Sequence, residues 1–193
     1  MMEAVLDGVT IFVDRDGTLN DDPGYLTHPD GLVLFPGVVD AVARLKRAGS
    51  RVVLVTNQSA VGRKFMTVVE LSAIHDKLER LLKEGGAALD GIFFCPHLPD
   101  DGCDCRKPRP GLIHQAVEAL GVTCVRSYMV GDKLSDVELA NAVGAIGVLV
   151  TTTSASQPAI EAHQRGDVYI ECITLSFSEA VDWIFQDALT RTW

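Results

Sequence analysis

The chain reads as an α/β protein, a Rossmann-like three-layer sandwich built on a mostly parallel sheet. Three observations predict this. Short apolar runs rich in β-branched residues alternate with segments whose apolar residues recur every three or four positions. Those runs stay apolar instead of alternating with polar residues, as strands covered on both faces do. Polar side chains appear where the runs end, at Asp14, Thr56 and Asp132. Parallel strands would carry all three to one rim, where open α/β sheets bind their ligands.

Each element has its own signal. Ile11 to Val13 is a strand, closed by Asp14-Arg15-Asp16 and a Gly17-Thr18 step. Asn20 to Leu34 is polar and turn-rich, a long excursion over the rim. Pro36-Gly37 introduces a helix with Val38, Val42 and Leu45 on one face, stopped by Gly49. Arg51 to Asn57 is the second strand. Thr67 and Glu70 have capping-box spacing and open a helix bearing Leu71, Ile74, Leu78 and Leu81, which Gly85-Gly86 ends. Gly91 to Cys95 is the third strand. Pro110 starts a helix carrying Ile113, Ala116, Val117 and Leu120, with Gly121 as its stop. Ser127 to Val130 is the fourth strand and runs into Gly131-Asp132. A helix over Leu134 to Val143 and a fifth strand, Ile146 to Val150, follow. The tail reads as a helix near Pro158 to Gln164, a short strand at Val168 to Ile170, and a last helix opening at Ser176-x-x-Glu179.

The 193 residues are enough for a sizeable core and read as one domain, 1–193. The 26 acidic residues outnumber the 17 basic ones, giving a net charge of −9, which argues against nucleic acid or an anionic membrane as partner. No run is long enough for a membrane span, and Met1 to Asp7 lacks the order of a secretory signal. A cytoplasmic location is expected. There, three cysteines packed between Cys95 and Cys105 point to a metal rather than to disulfides.

Two carboxylates one residue apart repel unless a cation or a shared proton holds them. Asp14 and Asp16 therefore read as a metal-assisted site. Asp14 is the nucleophile that forms an aspartyl phosphate, and Asp16 is the acid/base. Asp132 adds a carboxylate for Mg²⁺, a hard cation that takes oxygen ligands. Asp136 lies one helical turn further on, either as a second contact or as an ordinary exposed residue. The turn Thr56-Asn57-Gln58-Ser59 offers a hydroxyl and amides for phosphoryl oxygens. Lys107 neutralises the phosphoryl group, and Arg106 can grip a second anion bidentately. Arg15 points away from both aspartates if the strand's alternation continues, and is given no role. Cys95-x-His97 and Cys103-x-Cys105, five residues apart, supply four ligands suited to a closed, structural Zn²⁺ site. Such a site would pin the loop that presents Arg106 and Lys107. Cys124 and Cys172 read as small core residues, and His28, His75, His114 and His163 as structural or exposed.

These residues resemble the haloacid dehalogenase superfamily of phosphohydrolases. Asp14-x-Asp16-Gly-Thr18 is similar to its first motif, Thr56 to its second, Lys107 to its third and Gly131-Asp132-x-x-x-Asp136 to its fourth; the likeness covers residues 9 to about 150. It implies a compact, capless monomer, with Mg²⁺ held by Asp14, the Asp16 backbone carbonyl and Asp132. It implies substrate contacts from Asp22, Pro23, Gly24 and Tyr25, from Thr56, Asn57, Gln58 and Ser59, and from Arg106, Lys107 and Lys133. The reaction implied is removal of one phosphate from a sugar bisphosphate, leaving a sugar 1-phosphate for surface polysaccharide synthesis. Asp22-Pro-Gly-Tyr25 and Lys107-Pro-Arg-Pro-Gly111 suit that branch. The short gap between the zinc arms suits histidinol-phosphate phosphatases, so both substrates stay open. A non-catalytic sugar-phosphate-binding module is the third reading, and the presence of both Asp14 and Asp16 speaks against it.

Overall fold

The computed structural model describes residues 5–193, so the first four positions of the stretch read for a secretory signal lie outside the described residues. Six strands form one sheet: β1 (Thr10–Val13), β2 (Arg51–Asn57), β3 (Gly91–Cys95), β4 (Ser127–Gly131), β5 (Ile146–Val150) and β6 (Cys172–Thr174). Their order is β3-β2-β1-β4-β5-β6, and every neighbouring pair is parallel. All the carboxyl ends therefore share one rim. β1 is central because nothing in it needs water: all four of its residues are buried.

Alternation along the strands divides the core in two. Ile11, Val13, Val52, Leu54 and Val130 face α1 (Val38–Arg47), α3 (Val68–Glu84) and α7 (Phe177–Thr190). Phe12, Val53, Val55 and Met129 face α4 (Gly111–Leu120) and α5 (Leu134–Val143). α6 (Gln157–Arg165) adds Ala159 to a smaller cluster with Val137 and Leu149. The result is the expected three-layer sandwich.

The sequence signals at the helix ends have physical counterparts. Thr67 and Glu70 form the reciprocal capping box of α3, and the Ser176 hydroxyl accepts from the Glu179 amide at the start of α7. Between β1 and α1 the chain runs as a loop with one 3₁₀ turn at Pro29–Gly31, and between β3 and α4 it runs as a second loop. No further domain covers the rim among the described residues.

Two elements differ from expectation. The last strand is Cys172–Thr174 instead of 168–170. The Asn141 side chain takes both the Tyr169 amide and its carbonyl, at 2.8 Å each, so the ladder with β5 begins only at Cys172 opposite Val148. A single helical turn, α2 (Ser59–Gly62), also follows β2 where only a polar turn was expected. The Gln58 amide donates to the Cys95 carbonyl at 2.7 Å and ties that turn to β3.

Leu54 is fully buried between the central strand and the α1 and α3 side. Leu54→Ala should lower the free energy of unfolding by about 2–5 kcal/mol, read from the shift in urea midpoint at unchanged slope.

Candidate active site

Three carboxylates meet just beyond β1 and β4. Asp14, Asp132 and Asp136 are all buried, and each offers an oxygen within 4.8 Å of the others. The Asp14 amide donates to Val130 O at 2.9 Å, which locks the first residue past β1 to β4. Asp136 stands in the first turn of α5 and accepts from the Lys133 amide at 3.1 Å. It is a buried member of the cluster, not an exposed helix residue. Two glycines make this proximity feasible. A Cβ on Gly17, whose φ is +83°, would strike the Asp132 carboxylate, and one on Gly131 would strike that of Asp136.

Lys107 answers part of that charge. Its Nζ lies 2.9 Å from Asp14 Oδ1 and 2.6 Å from Asp136 Oδ1. Burial alone would push this ammonium down, but Asp136 and then Asp14 outweigh it and hold its pKa above the ordinary value. Asp132 has only a longer contact, with Lys133 Nζ 4.0 Å from its Oδ1. Its Oδ2 accepts from the Thr153 hydroxyl at 2.8 Å, while its buried Oδ1 has no hydrogen-bond partner among the described residues. Burial first, then the Asp14 and Asp136 charges, push its pKa up to about 7 against the opposing pull of Lys133. An all-oxygen donor set of this kind, with an orphaned buried carboxylate oxygen, fits Mg²⁺.

Asp16 has a separate environment. Arg15 is fully buried and grips it with both arms: Nε donates to Oδ1 at 2.9 Å and Nη2 to Oδ2 at 2.8 Å. This corrects the expectation that Arg15 turns away. β1 ends at Val13, and the Arg15 carbonyl accepts from the Thr18, Leu19 and Asn20 amides, so a tight turn replaces the extended alternation. Asn20 Nδ2 adds a bond to Asp16 Oδ1, and Gln58 Nε2 one to Oδ2, each at 2.9 Å. Burial would raise the Asp16 pKa. The Arg15 charge and hydrogen bonds, helped by Asn20 and Gln58, instead hold it below the usual carboxylate range.

The expected zinc ligands converge. Cys95 Sγ lies 3.6 Å from Cys103 Sγ and 3.5 Å from His97 Nδ1, and Cys105 Sγ lies 3.6 Å from Cys103 Sγ and 3.2 Å from His97 Nδ1. A zinc tetrahedron with sulfur bonds of about 2.3 Å has edges of roughly 3.8 Å, so the group fits that ion. Four protein ligands close its coordination. Beyond the cluster, Arg109 Nη1 donates to Cys103 O at 2.6 Å, and the Lys107 amide donates to Asn57 Oδ1 at 3.0 Å. The loop is thereby fastened at both the metal group and the end of β2.

A cleft of about 240 Å³ opens over Asp16. Asp22, Gly24, Tyr25, Asn57, Gln58, Ser59, Arg106 and Lys133 line it, whereas Pro23 is exposed outside it. Lys133 Nζ crosses the mouth to Asp22 Oδ2 at 2.9 Å and to the Asp16 carbonyl at 3.4 Å. Burial would lower its pKa, but Asp14, Asp132 and Asp22 hold it raised. Thr56 is buried beneath the cleft, and its hydroxyl accepts from Gln58 Nε2 at 3.0 Å. Tyr25 meets Phe65 edge-on at 5.1 Å, with Arg63 over its ring. Sequence reasoning missed Thr153 and Arg15. Thr153 lies just past β5, so the same strand-end rule could have found it. No sequence signal marked Arg15, because its partner His75 comes from distant α3.

A family model for haloacid dehalogenase (HAD)-hydrolase-like proteins matches residues 104–174. A D-glycero-beta-D-manno-heptose-1,7-bisphosphate 7-phosphatase of Neisseria meningitidis is 41% identical over 143 residues, which cover 74% of this chain and 76% of that protein. The enzyme of the same name from Yersinia pestis is 40% identical over 164 residues, 81% and 87% of the two chains. The crystal structure of D,D-heptose 1,7-bisphosphate phosphatase from B. bronchiseptica, complexed with magnesium and phosphate, superposes with a TM-score of 0.82 at 35% identity, covering 92% of this chain and 98% of that one.

Two outcomes follow from the geometry. Purified protein should contain about one zinc per chain by metal analysis, and stripping it should expose residues 95–107 to protease; full protection after confirmed zinc loss would contradict the anchoring role. The second concerns His75, whose pKa is pulled from 6.5 to about 4 by burial and then by Arg15. The unfolded chain protonates this ring first, so stability present above about pH 6.5 is lost as pH falls toward 4. His75→Gln should flatten that part of the stability profile, measured by urea unfolding across the window.

Proposed function

From the premise that the chain belongs to the D-glycero-beta-D-manno-heptose-1,7-bisphosphate 7-phosphatases, within the HAD-like hydrolases, we propose that it hydrolyses the 7-phosphate of that heptose bisphosphate. The product is heptose 1-phosphate, for surface polysaccharide precursor synthesis. The single observation that carries the reading is the meeting of Asp14, Lys107, Asp132 and Asp136 at one buried rim, next to an Asp16 with its own cation.

A carboxylate oxygen of Asp14 attacks phosphorus, the ester P–O bond breaks, and protonated Asp16 gives its proton to the departing sugar oxygen. Asp16 then takes a proton from water, whose oxygen attacks the aspartyl phosphate, releasing phosphate and restoring Asp14. The Arg15 fork keeps Asp16 ionised, the state in which it can act as base in the second step. For the first step, the incoming phosphate dianion raises the proton affinity of Asp16 as a neighbouring like charge. Asp14, the Asp16 carbonyl and Asp132 would hold Mg²⁺, which would supply charge neutralisation at the phosphoryl oxygens. The Lys107 ammonium neutralises charge there as well, and Thr56 donates its hydroxyl to a phosphoryl oxygen.

Asp22, Gly24, Tyr25, Ser59, Arg106 and Lys133 line the cleft at the positions where the sugar and its 1-phosphate would sit. Pro23 shapes that loop. Asn57 acts through the Lys107 backbone, and Gln58 acts through Asp16 and Thr56. All of these groups come from one chain, which supports a monomer. The cysteines are free, and none of the described helices is long and apolar enough to cross a membrane, which supports a place in the reducing cytoplasm.

Asp14→Asn should abolish turnover while leaving the unfolding curve in place, because an amide is a poor nucleophile; a near-normal rate would remove Asp14 as the attacking group. Phosphate release from both heptose bisphosphate anomers and from histidinol phosphate should favour the beta heptose. Preference for histidinol phosphate would overturn the substrate assignment and leave the chemistry standing.

A further inference from the structure

Asp16 accepts four hydrogen bonds: Arg15 Nε and Asn20 Nδ2 on Oδ1, Arg15 Nη2 and Gln58 Nε2 on Oδ2. That occupies about every lone-pair site a carboxylate has, so to carry a proton Asp16 must release one of the single amide bonds, from Asn20 or Gln58, while the two-bond Arg15 fork holds it. The two bonds from Arg15 are parallel and share its rigid plane, so they fix the tilt of the carboxylate as well as its place. The guanidinium is fixed in turn. Its Nη1 meets His75 Nε2 at 3.2 Å, and Nη2 also donates to Gln58 Oε1 at 3.0 Å. His75 is buried on α3, beside Phe94 of β3. Gln58 extends the chain of contacts, donating to Thr56 Oγ1 at 3.0 Å. With Thr56 Oγ1 accepting there, its own hydrogen is left free to be donated to another group. None of Arg15 or His75 lines the cleft.

We propose that Arg15, seated on His75, is a positioning residue: one buried guanidinium aims the Asp16 carboxylate and, through Gln58, orients the Thr56 hydroxyl for the transferring phosphoryl group. This rests on the acid/base reading of Asp16 given above. The Arg15 side chain does not line the cleft, and its hydrogen-bond partners are Asp16, His75 and Gln58. Its loss therefore falls on proton transfer, while Lys107, Lys133 and the acidic cluster go on binding substrate and cation.

Arg15→Lys keeps the charge and removes the fork. It should lower kcat for an alkyl ester such as the sugar bisphosphate by at least about 100-fold, with KM and the Mg²⁺ requirement within roughly threefold of wild type. p-Nitrophenyl phosphate separates the steps, since its leaving group needs no proton. With this substrate the variant should release one equivalent of nitrophenolate in a burst, followed by slow turnover, because hydrolysis of the aspartyl phosphate still needs Asp16 as base. His75→Leu should show the same pattern more weakly, and His75→Gln, which restores an acceptor for Arg15, should recover most of the rate. Circular dichroism and the urea midpoint check that each variant is folded.

A folded Arg15→Lys with wild-type kcat on the alkyl ester would overturn the inference. So would a loss that appears in KM and Mg²⁺ dependence, or one equal for both substrates with no burst. Should Arg15→Lys fail to fold, the His75 pair decides alone: equal rates for the Leu and Gln variants would overturn it. Asp16→Asn run alongside keeps the two readings apart. If that variant turns over the alkyl ester normally, the acid/base role itself fails; if it is inactive while Arg15→Lys is normal, only the positioning role does.

Discussion

The Lys107 ammonium lies between Asp14 and Asp136, at 2.9 and 2.6 Å, with about 1% of its side chain exposed. Around it three carboxylates share a buried space, and one ammonium cannot neutralise three negative charges. In a buried space such repulsion is screened less than it is in water. Burial first, and then the Asp14 and Asp136 charges, push the Asp132 pKa up to about 7. A site built this way is paired with a divalent cation by its own electrostatics. The parallel sheet is what makes the crowding possible: β1 and β4 are adjacent, and each delivers an aspartate directly past its last residue.

Lys107 reaches this space from a loop with no regular secondary structure, and ordering such a loop costs conformational entropy residue by residue. The Cys95, His97, Cys103 and Cys105 group fixes the segment immediately before it, and Asn57 takes the Lys107 backbone at both its amide and its carbonyl. The loop is therefore held at one end by a group that fits zinc and at the other by the strand that carries Thr56. A charged side chain buried without such support would not stay aligned between two carboxylates. The Cys/His group and the acidic rim are in this sense one device, although none of Cys95, His97, Cys103 and Cys105 lines the cleft over Asp16.

The features legible in the sequence were those fixed by local pattern. Strand ends announce themselves where a polar residue interrupts an apolar run, which placed Asp14, Thr56 and Asp132 on one rim. The capping box at Thr67 and Glu70 and the Cys-x-His and Cys-x-Cys arms are likewise short-range patterns whose chemistry demands proximity. What could not be read depended on contacts between distant segments. Arg15 lies between two predicted site residues, yet its orientation is set by a turn in residues 15–20 and by His75, sixty positions away. Gln58 read as a cleft residue because its neighbours do; its side chain turns inward since Asp16, Thr56 and Arg15 together satisfy its amide. The last strand moved because one side chain, Asn141, took the backbone groups that pairing would have used. In each case a buried polar group had to find partners, and a tertiary neighbour met that need where local propensity could not.

Two aspartates separated by one residue end up with different cations, and the kind of cation matters. Asp14 faces a lysine, a compact point charge that, in the proposed reaction, can lean toward a phosphoryl oxygen as the negative charge of Asp14 passes into the new P–O bond. Asp16 faces an arginine, whose planar fork grips both oxygens and loses its second bond if either partner rotates. A nucleophile needs its counter-charge to follow the electrons, whereas an acid/base group needs its counter-charge to stay still while only a proton moves. Exchanging the two cations would give Asp14 a partner that resists transfer and Asp16 a partner that fails to aim it. The chain thus separates two chemically identical side chains by what sits behind each of them. It needs only the register of one strand end to do so, since the residue between them supplies the second cation itself.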